Sequence, residues 1–166
     1  MPIIDYDGTT YYDINKVSDH DGTTYYQIGK VYDNDGTTSS LIYSAEETLL
    51  STETSVSTGS AKASNIGLSV DLTNYSTLYI TAKTSGTSGK HNWWVGVFKS
   101  QKTKVAYADM TSNYVKGTTN TPSGSLSKTT ITVDVSDLSG TYFVGLGVHS
   151  ATNYSASGTL YSIIAE

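Results

Sequence analysis

The chain has 166 residues and a mass of 17.7 kDa, room for one mid-sized sandwich or for one domain with an appendage. Only 15% of the residues are charged against a usual ~25%, while 24 serines and 26 threonines make nearly a third of the chain hydroxyl-bearing. The net charge of −5 with no arginine argues against nucleic-acid binding, the lack of cysteine excludes disulfide scaffolds and thiol chemistry, and no apolar run is long enough to span a membrane.

Charge is uneven along the chain. Residues 1–47 hold nine carboxylates against two lysines, a net of −7, whereas 48–166 carry a net of +2. Two structural parts are therefore expected, 1–47 and 48–166. The first is a tandem repeat with a period of 14 residues. Asp5-Tyr-Asp7-Gly8-Thr-Thr, Asp19-His-Asp21-Gly22-Thr-Thr and Asp33-Asn-Asp35-Gly36-Thr-Thr open the three copies, with Ile14, Ile28 and Ile42 in one phase. Asp-Gly flanked by β-formers is a hairpin signal, because glycine accepts the positive φ of a tight turn. Each copy reads as two short strands with turns at both ends, in a meander or a small stacked array. The bland role of the paired aspartates is to accept turn N–H groups. Asp-x-Asp-Gly also matches the opening of a calcium loop, but the third acidic position and the distant glutamate of that pattern are missing, so no metal and no cofactor are expected. Fourteen residues cannot bury a core, so the repeats must pack on each other, on the following domain or on other copies of the chain.

These repeats, closing on Leu41-Ile42-Tyr43-Ser44-Ala45-Glu46-Glu47, resemble the DGTT-repeat segments of tail-associated proteins from phages of Gram-positive bacteria. The resemblance covers residues 4–47 and marks a structural module that precedes a β-rich terminal domain. It implies a virion-surface location, other virion proteins as partners and no catalytic residue. The opening segment has neither a basic stretch nor an apolar one, so no signal peptide is expected. Prior removal of a leader and release by lysis both fit that. The small burial available to the repeats favours a homo-oligomer, with a trimer preferred.

Residues 44–50 offer the one place for a helical turn, with Ser44 and Glu47 at capping-box spacing. Beyond them the spacing predicts strands over 66–72, 77–83, 92–99, 104–110, 129–135, 142–149 and 159–165, separated by Gly/Ser/Thr/Asn loops. Leu78, Ile80 and Ala82 alternate with Tyr79, Thr81 and Lys83, and Ile131, Val133 and Val135 with Thr130, Thr132 and Asp134. That is the pattern of half-buried antiparallel strands. The expected fold class is all-β, an antiparallel β-sandwich of jelly-roll type preceded by the short hairpin repeats. Asp71-Leu-Thr-Asn-Tyr-Ser and Asp134-Val-Ser-Asp-Leu-Ser-Gly resemble strand-exit turns of carbohydrate-binding sandwiches.

No catalytic constellation stands out, and a non-enzyme is expected. His20, His91 and His149 are scattered, no serine sits in a Gly-x-Ser-x-Gly elbow, and nothing local pairs Asp109, Asp134 and Asp137 as acid and base. The candidate ligand site lies on two strands. In His91-Asn-Trp-Trp-Val-Gly-Val-Phe98, Trp93, Val95 and Val97 share one face, leaving Trp94, Gly96 and Phe98 on the other. In 142–149, Phe143, Gly145, Gly147 and His149 lie opposite Val144, Leu146 and Val148. Trp94, Phe98, Phe143 and His149 beside bare glycines would form a shallow platform for a sugar ring of a host cell-wall glycan. The competing reading covers that face with loops, repeats or another subunit. Adhesion to host glycans is the leading expectation for function. A purely structural decoration or filament subunit, with the aromatic face as an intersubunit contact, is the alternative.

Overall fold

A computed structural model describes residues 46–120 and 124–166 throughout, and between residues 1 and 45 the backbone of six strands. The chain divides into two units, Met1–Glu46 and Glu47–Glu166.

The first unit is built from hairpins. β1 (Ile3–Tyr6) pairs with β2 (Tyr11–Ile14), β3 (Ser18–His20) with β4 (Tyr25–Gln27), and β5 (Lys30–Asn34) with β6 (Ser39–Ser44), all antiparallel. The sequence period reappears as register: Asp5 stands opposite Tyr12, Asp19 opposite Tyr26 and Asp33 opposite Ser40. Among the described residues each pairing joins the two strands that flank one Asp-x-Asp-Gly turn, so the array is three two-stranded hairpins. The strand entering each turn begins before that copy's first aspartate, as Ser18 opposite Gln27 and residues 30–32 opposite 41–44 show. The turn residues Asp7, Gly8, Asp21, Gly22, Asp35 and Gly36 lie outside the described residues, and with them the calcium reading.

The second unit is the sandwich. One sheet holds β7 (Glu47–Leu50), β8 (Thr54–Gly59), β10 (Thr77–Gly86), β13 (Thr129–Asp134) and β15 (Ser155–Ala165). The other holds β9 (Ala63–Asp71), β11 (His91–Phe98), β12 (Tyr114–Asn120) and β14 (Thr141–Ser150), with the short helix α1 (Tyr107–Asn113) between β11 and β12. β7 and β8 share one edge, both pairing with the long β15. Counted as one strand, they give eight strands in the orders 1-8-3-6 and 2-7-4-5, every pair antiparallel. That is the double Greek key of a jelly roll.

Alternation explains which faces meet. Leu78, Ile80 and Ala82 of β10, Val133 of β13, and Leu160 and Ile163 of β15 meet Trp93, Val95 and Val97 of β11 and Val144, Leu146 and Val148 of β14 in one apolar core. Two strand-exit turns close one end. Asp71 Oδ1 accepts from the N–H and hydroxyl of Thr73 (3.0 and 2.6 Å), and Asp134 Oδ1 accepts from the same groups of Ser136 (3.0 and 2.7 Å). The Gly140 N–H donates to Thr73 Oγ1 and ties the two turns together. These bonds hold both carboxyls below their ordinary range; the Lys116 ammonium adds to the effect at Asp134 and lowers Asp137 as well.

Two expected elements are corrected, and two strands are added. The helical turn at 44–50 does not form; β6 ends at Ser44 and β7 begins at Glu47, because β15 offers an open edge there. The strand expected over 104–110 is a single bridge from Val105 to Ala63 followed by α1. Tyr107 and Met110 are spaced for one face of a helix, and Tyr114 continues that spacing. β12 and β8 were not expected, being Thr/Gly/Ser-rich edge strands with little apolar alternation.

One row of β9, β14, β11 and β12 contains no side chains. Gly67 stands beside Gly145, Gly145 beside Gly96, and Gly96 beside Gly117. A Cβ on Gly96, at φ +150°, would collide with the Lys116 carbonyl. Gly96→Ala is expected to cost more than ~4 kcal/mol or to prevent folding, read by chemical denaturation. A second expectation concerns alkali. The Tyr75 hydroxyl donates to the Glu47 carboxylate, and that bond, with burial, pushes its pKa from 10.0 up to about 12. The folded state thus favours the neutral phenol, a contribution full below pH ~10 and drained as pH rises to about 12. Tyr75→Phe should be less stable than the parent at pH 8, with the difference narrowing from pH 10 to 12 in melting curves.

Candidate functional site

The outer face of the β9–β14–β11–β12 sheet carries the residues marked as a sugar platform, and the register does bring them together. Phe98 stands opposite Phe143, Trp94 opposite Gly147, and Asn92 opposite His149. Their exposure, however, corrects the platform. Trp94 is 2% exposed, Phe98 0% and Phe143 6%, and only the half-buried His149 reaches the surface. The crossover from β11 to β12, residues 99–113, lies over them. Met110 and Ala63 complete the cluster, with Val105, Tyr107 and Tyr114 packed around it.

The glycines explain the geometry. At Gly147, opposite Trp94 and outside the four-glycine row, the missing side chain lets the rings lie down on the sheet: its Cβ position is 3.3 Å from the Phe98 ring and 3.4 Å from Trp94. The Tyr107 ring packs on Trp94 at 5.6 Å and on His149 at 4.9 Å, and Tyr114 meets Phe98 edge-on at 5.6 Å. Burial pushes the Tyr114 hydroxyl up to about 12. The His149 Nδ1–H donates to Asn92 Oδ1 at 3.2 Å, and partial burial lowers its pKa. The aromatic face is thus a second core, filled from within the chain.

What fixes the crossover is a pair of buried amides. Asn65 of β9, 2% exposed, donates to the Ser100 carbonyl (3.2 Å) and accepts from the Lys102 N–H (2.6 Å). Asn113 at the end of α1, 4% exposed, accepts from the Ser100 N–H and hydroxyl (3.1 and 3.2 Å) and donates to the Ser100 carbonyl (2.8 Å). The Lys104 N–H donates to Ser64 Oγ, and Ala63 and Val105 exchange two backbone bonds. Side-chain amides here take the place of a neighbouring strand.

Between this clamped loop and α1 lies a groove of about 450 Å3. Lys99, Lys102 and Ser100 line one wall, and Asp109, Ser112 and Asn113 the other, with Val105 as an apolar patch. Asp109 accepts from the Ala106 N–H through Oδ2. Among the described residues the salt bridges belong to Lys116 alone, so neither groove lysine is ion-paired. A second groove of about 290 Å3, on the outer face of the other sheet, is walled by Ser57, Ser85, Ser155 and Ser157 and has no charged residue.

Sequence reasoning did not single out Lys99, Lys102 or Asn113. The available signal was Lys99-Ser-Gln-Lys-Thr-Lys104, three of the ten lysines of the chain within six residues. The structure does not bring Asp109, Asp134 and Asp137 together as acid and base. Asp134 and Asp137 flank Lys116 with lowered pKa values, opposite to the raised value a general acid needs. His91 is buried, with Nδ1 bonded to the Thr87 carbonyl. No group of three or more metal-ligating side chains occurs among the described residues.

Comparison with known proteins finds no matching family model, no matching curated protein and no matching solved structure.

The burial of Trp94 has a direct consequence for stability. Trp94→Ala is expected to cost ~3–5 kcal/mol in denaturant unfolding, as large aromatic truncations in cores do. An exposed stacking ring would leave the unfolding midpoint nearly unchanged.

Proposed function

We propose that the chain is a non-enzymatic surface protein of a phage tail or virion, whose jelly-roll unit binds glycans of the host surface. The observation that carries this reading is the groove between residues 99–105 and α1. It is concave, held rigid by Asn65 and Asn113, and lined by hydroxyl, amide, ammonium and carboxylate groups around the apolar Val105. Few, fixed polar groups about an apolar patch suit a polyhydroxylated ligand. The resemblance of the repeats supplies the setting, and the two strand-exit Asx turns agree with a carbohydrate-binding sandwich. In this reading the acidic hairpins dock the protein to other virion proteins or to its own copies, in a trimer.

The alternative of a decoration subunit with an aromatic intersubunit face loses its motive, since that face is already covered by residues 99–113. The reading is tested on the full chain with a glycan array and with light scattering in parallel. Retention on a restricted set of glycans by an oligomer is the expected outcome. No retention on any glycan overturns the adhesive role, and a well-folded monomer at micromolar concentration overturns the trimer.

A further inference from the structure

We infer that the groove beside α1 selects an acidic saccharide, a hydroxylated chain bearing a carboxylate or phosphate. The inference rests on the glycan-binding reading and adds the charge of its ligand. It follows from a count of which hydrogen-bonding positions in the groove are already committed. The Ser100 hydroxyl proton is given to Asn113 Oδ1 (3.2 Å) and the Ser112 hydroxyl proton to the Asp109 carbonyl (3.1 Å). Asn113 spends its amide oxygen and one Nδ2–H on Ser100. What the side chains of these walls have left to offer is mostly acceptors: the lone pairs of Ser100 Oγ and Ser112 Oγ, and Asp109 Oδ1, since Oδ2 takes the Ala106 N–H, beside the second Nδ2–H of the nearly buried Asn113. Such a wall wants ligand groups that donate, which is what saccharide hydroxyls do.

The donors left over are the ammonium groups of Lys99 and Lys102. Both line the groove, and neither has a carboxylate within ion-pair distance among the described residues, whereas Lys116 lies between two. The backbone beneath Lys102 is pinned through its N–H to Asn65, so its stem starts from a fixed point. Lys104 follows on the same loop, and the backbone of Ala63, next to Lys62, pairs with Val105 of the groove wall. An anionic group on the lysines, with hydroxyls of the same chain on Asp109, Ser100 and Ser112, answers both the free ammonium groups and the free acceptors of the groove. A neutral sugar leaves both ammonium groups unanswered, and a bare anion leaves the acceptors unanswered.

The test is titration calorimetry of the full protein at low and high salt with four probes: trigalacturonate for the carboxylate source, phosphopentamannose for the phosphate source, neutral maltotriose, and inorganic phosphate alone. One or both acidic saccharides are expected to bind more tightly than maltotriose and than phosphate, with affinity falling as salt is raised. Lys99→Gln with Lys102→Gln should weaken that binding about tenfold, with an unchanged melting temperature. Lys83→Gln, on the other sheet, should change nothing. Equal binding of maltotriose and the acidic probes, or affinity indifferent to the two lysines, overturns the acidic selection and leaves the glycan reading standing. Phosphate alone binding as tightly as its saccharide also overturns it, and no binding of any saccharide overturns both.

Discussion

The sandwich depends on a row of the outer sheet that has no side chains. Gly67, Gly145, Gly96 and Gly117 stand side by side across β9, β14, β11 and β12, and an added Cβ at any of them would run into the backbone of the next strand. On the outer face of the same sheet Phe98, Phe143 and Trp94 form an apolar layer, with Phe98 and Trp94 lying close over the bare Gly147. The crossover 99–113 then settles on top through Val105, Tyr107 and Met110. A connection that would otherwise be free to wander is placed by the hydrophobic effect acting on an outer sheet face.

Packing places the crossover; it does not fix its backbone. That is done by Asn65 and Asn113, whose amides make five hydrogen bonds to Ser100 and Lys102. At a net ~0.5–1.5 kcal/mol each, the bonds matter less for total stability than for uniqueness. A buried amide left unpaired is costly, so only one position of the loop satisfies both asparagines. The same bonds consume the Ser100 proton and leave oxygen lone pairs facing the groove. The chemistry of the candidate site is thus a by-product of how its wall is held. The serine-walled groove on the other sheet has no such clamp and no charge.

Much of the fold was legible because strands with one buried face announce themselves by alternation. β10 and β13 were readable residue by residue, and the two faces of β11 and β14 were sorted correctly into Trp93 with Val95 and Trp94 with Phe98. Edge strands such as β8 and β12 carry Thr, Ser and Gly because half of their surface meets water, and their sequence is that of a loop. The site was misread for a different reason. Alternation tells which side chains share a face but not whether a further layer covers it, and β11 is buried on both sides. The covering layer was present in the sequence as Tyr107, Met110 and Tyr114, spaced for a helix where a strand was expected.

Because the jelly roll fills its own outer face, the proposed ligand site falls on a connection, where the fold leaves freedom to vary. The groove differs from a typical binding loop in being ordered before any ligand arrives, by the Asn65 and Asn113 bonds. Little ordering entropy remains to be lost on binding, so a few contacts at an open, solvated groove suffice for weak recognition. Weak recognition is adequate where sites are repeated. In the proposed trimer three grooves would face a polymeric glycan, and the second and third engagements become intramolecular, multiplying affinity without any new contact. The acidic hairpin repeats then matter to adhesion through number rather than through chemistry. In that proposal they would set how many grooves are presented together, while Lys99 and Lys102 would set what those grooves hold.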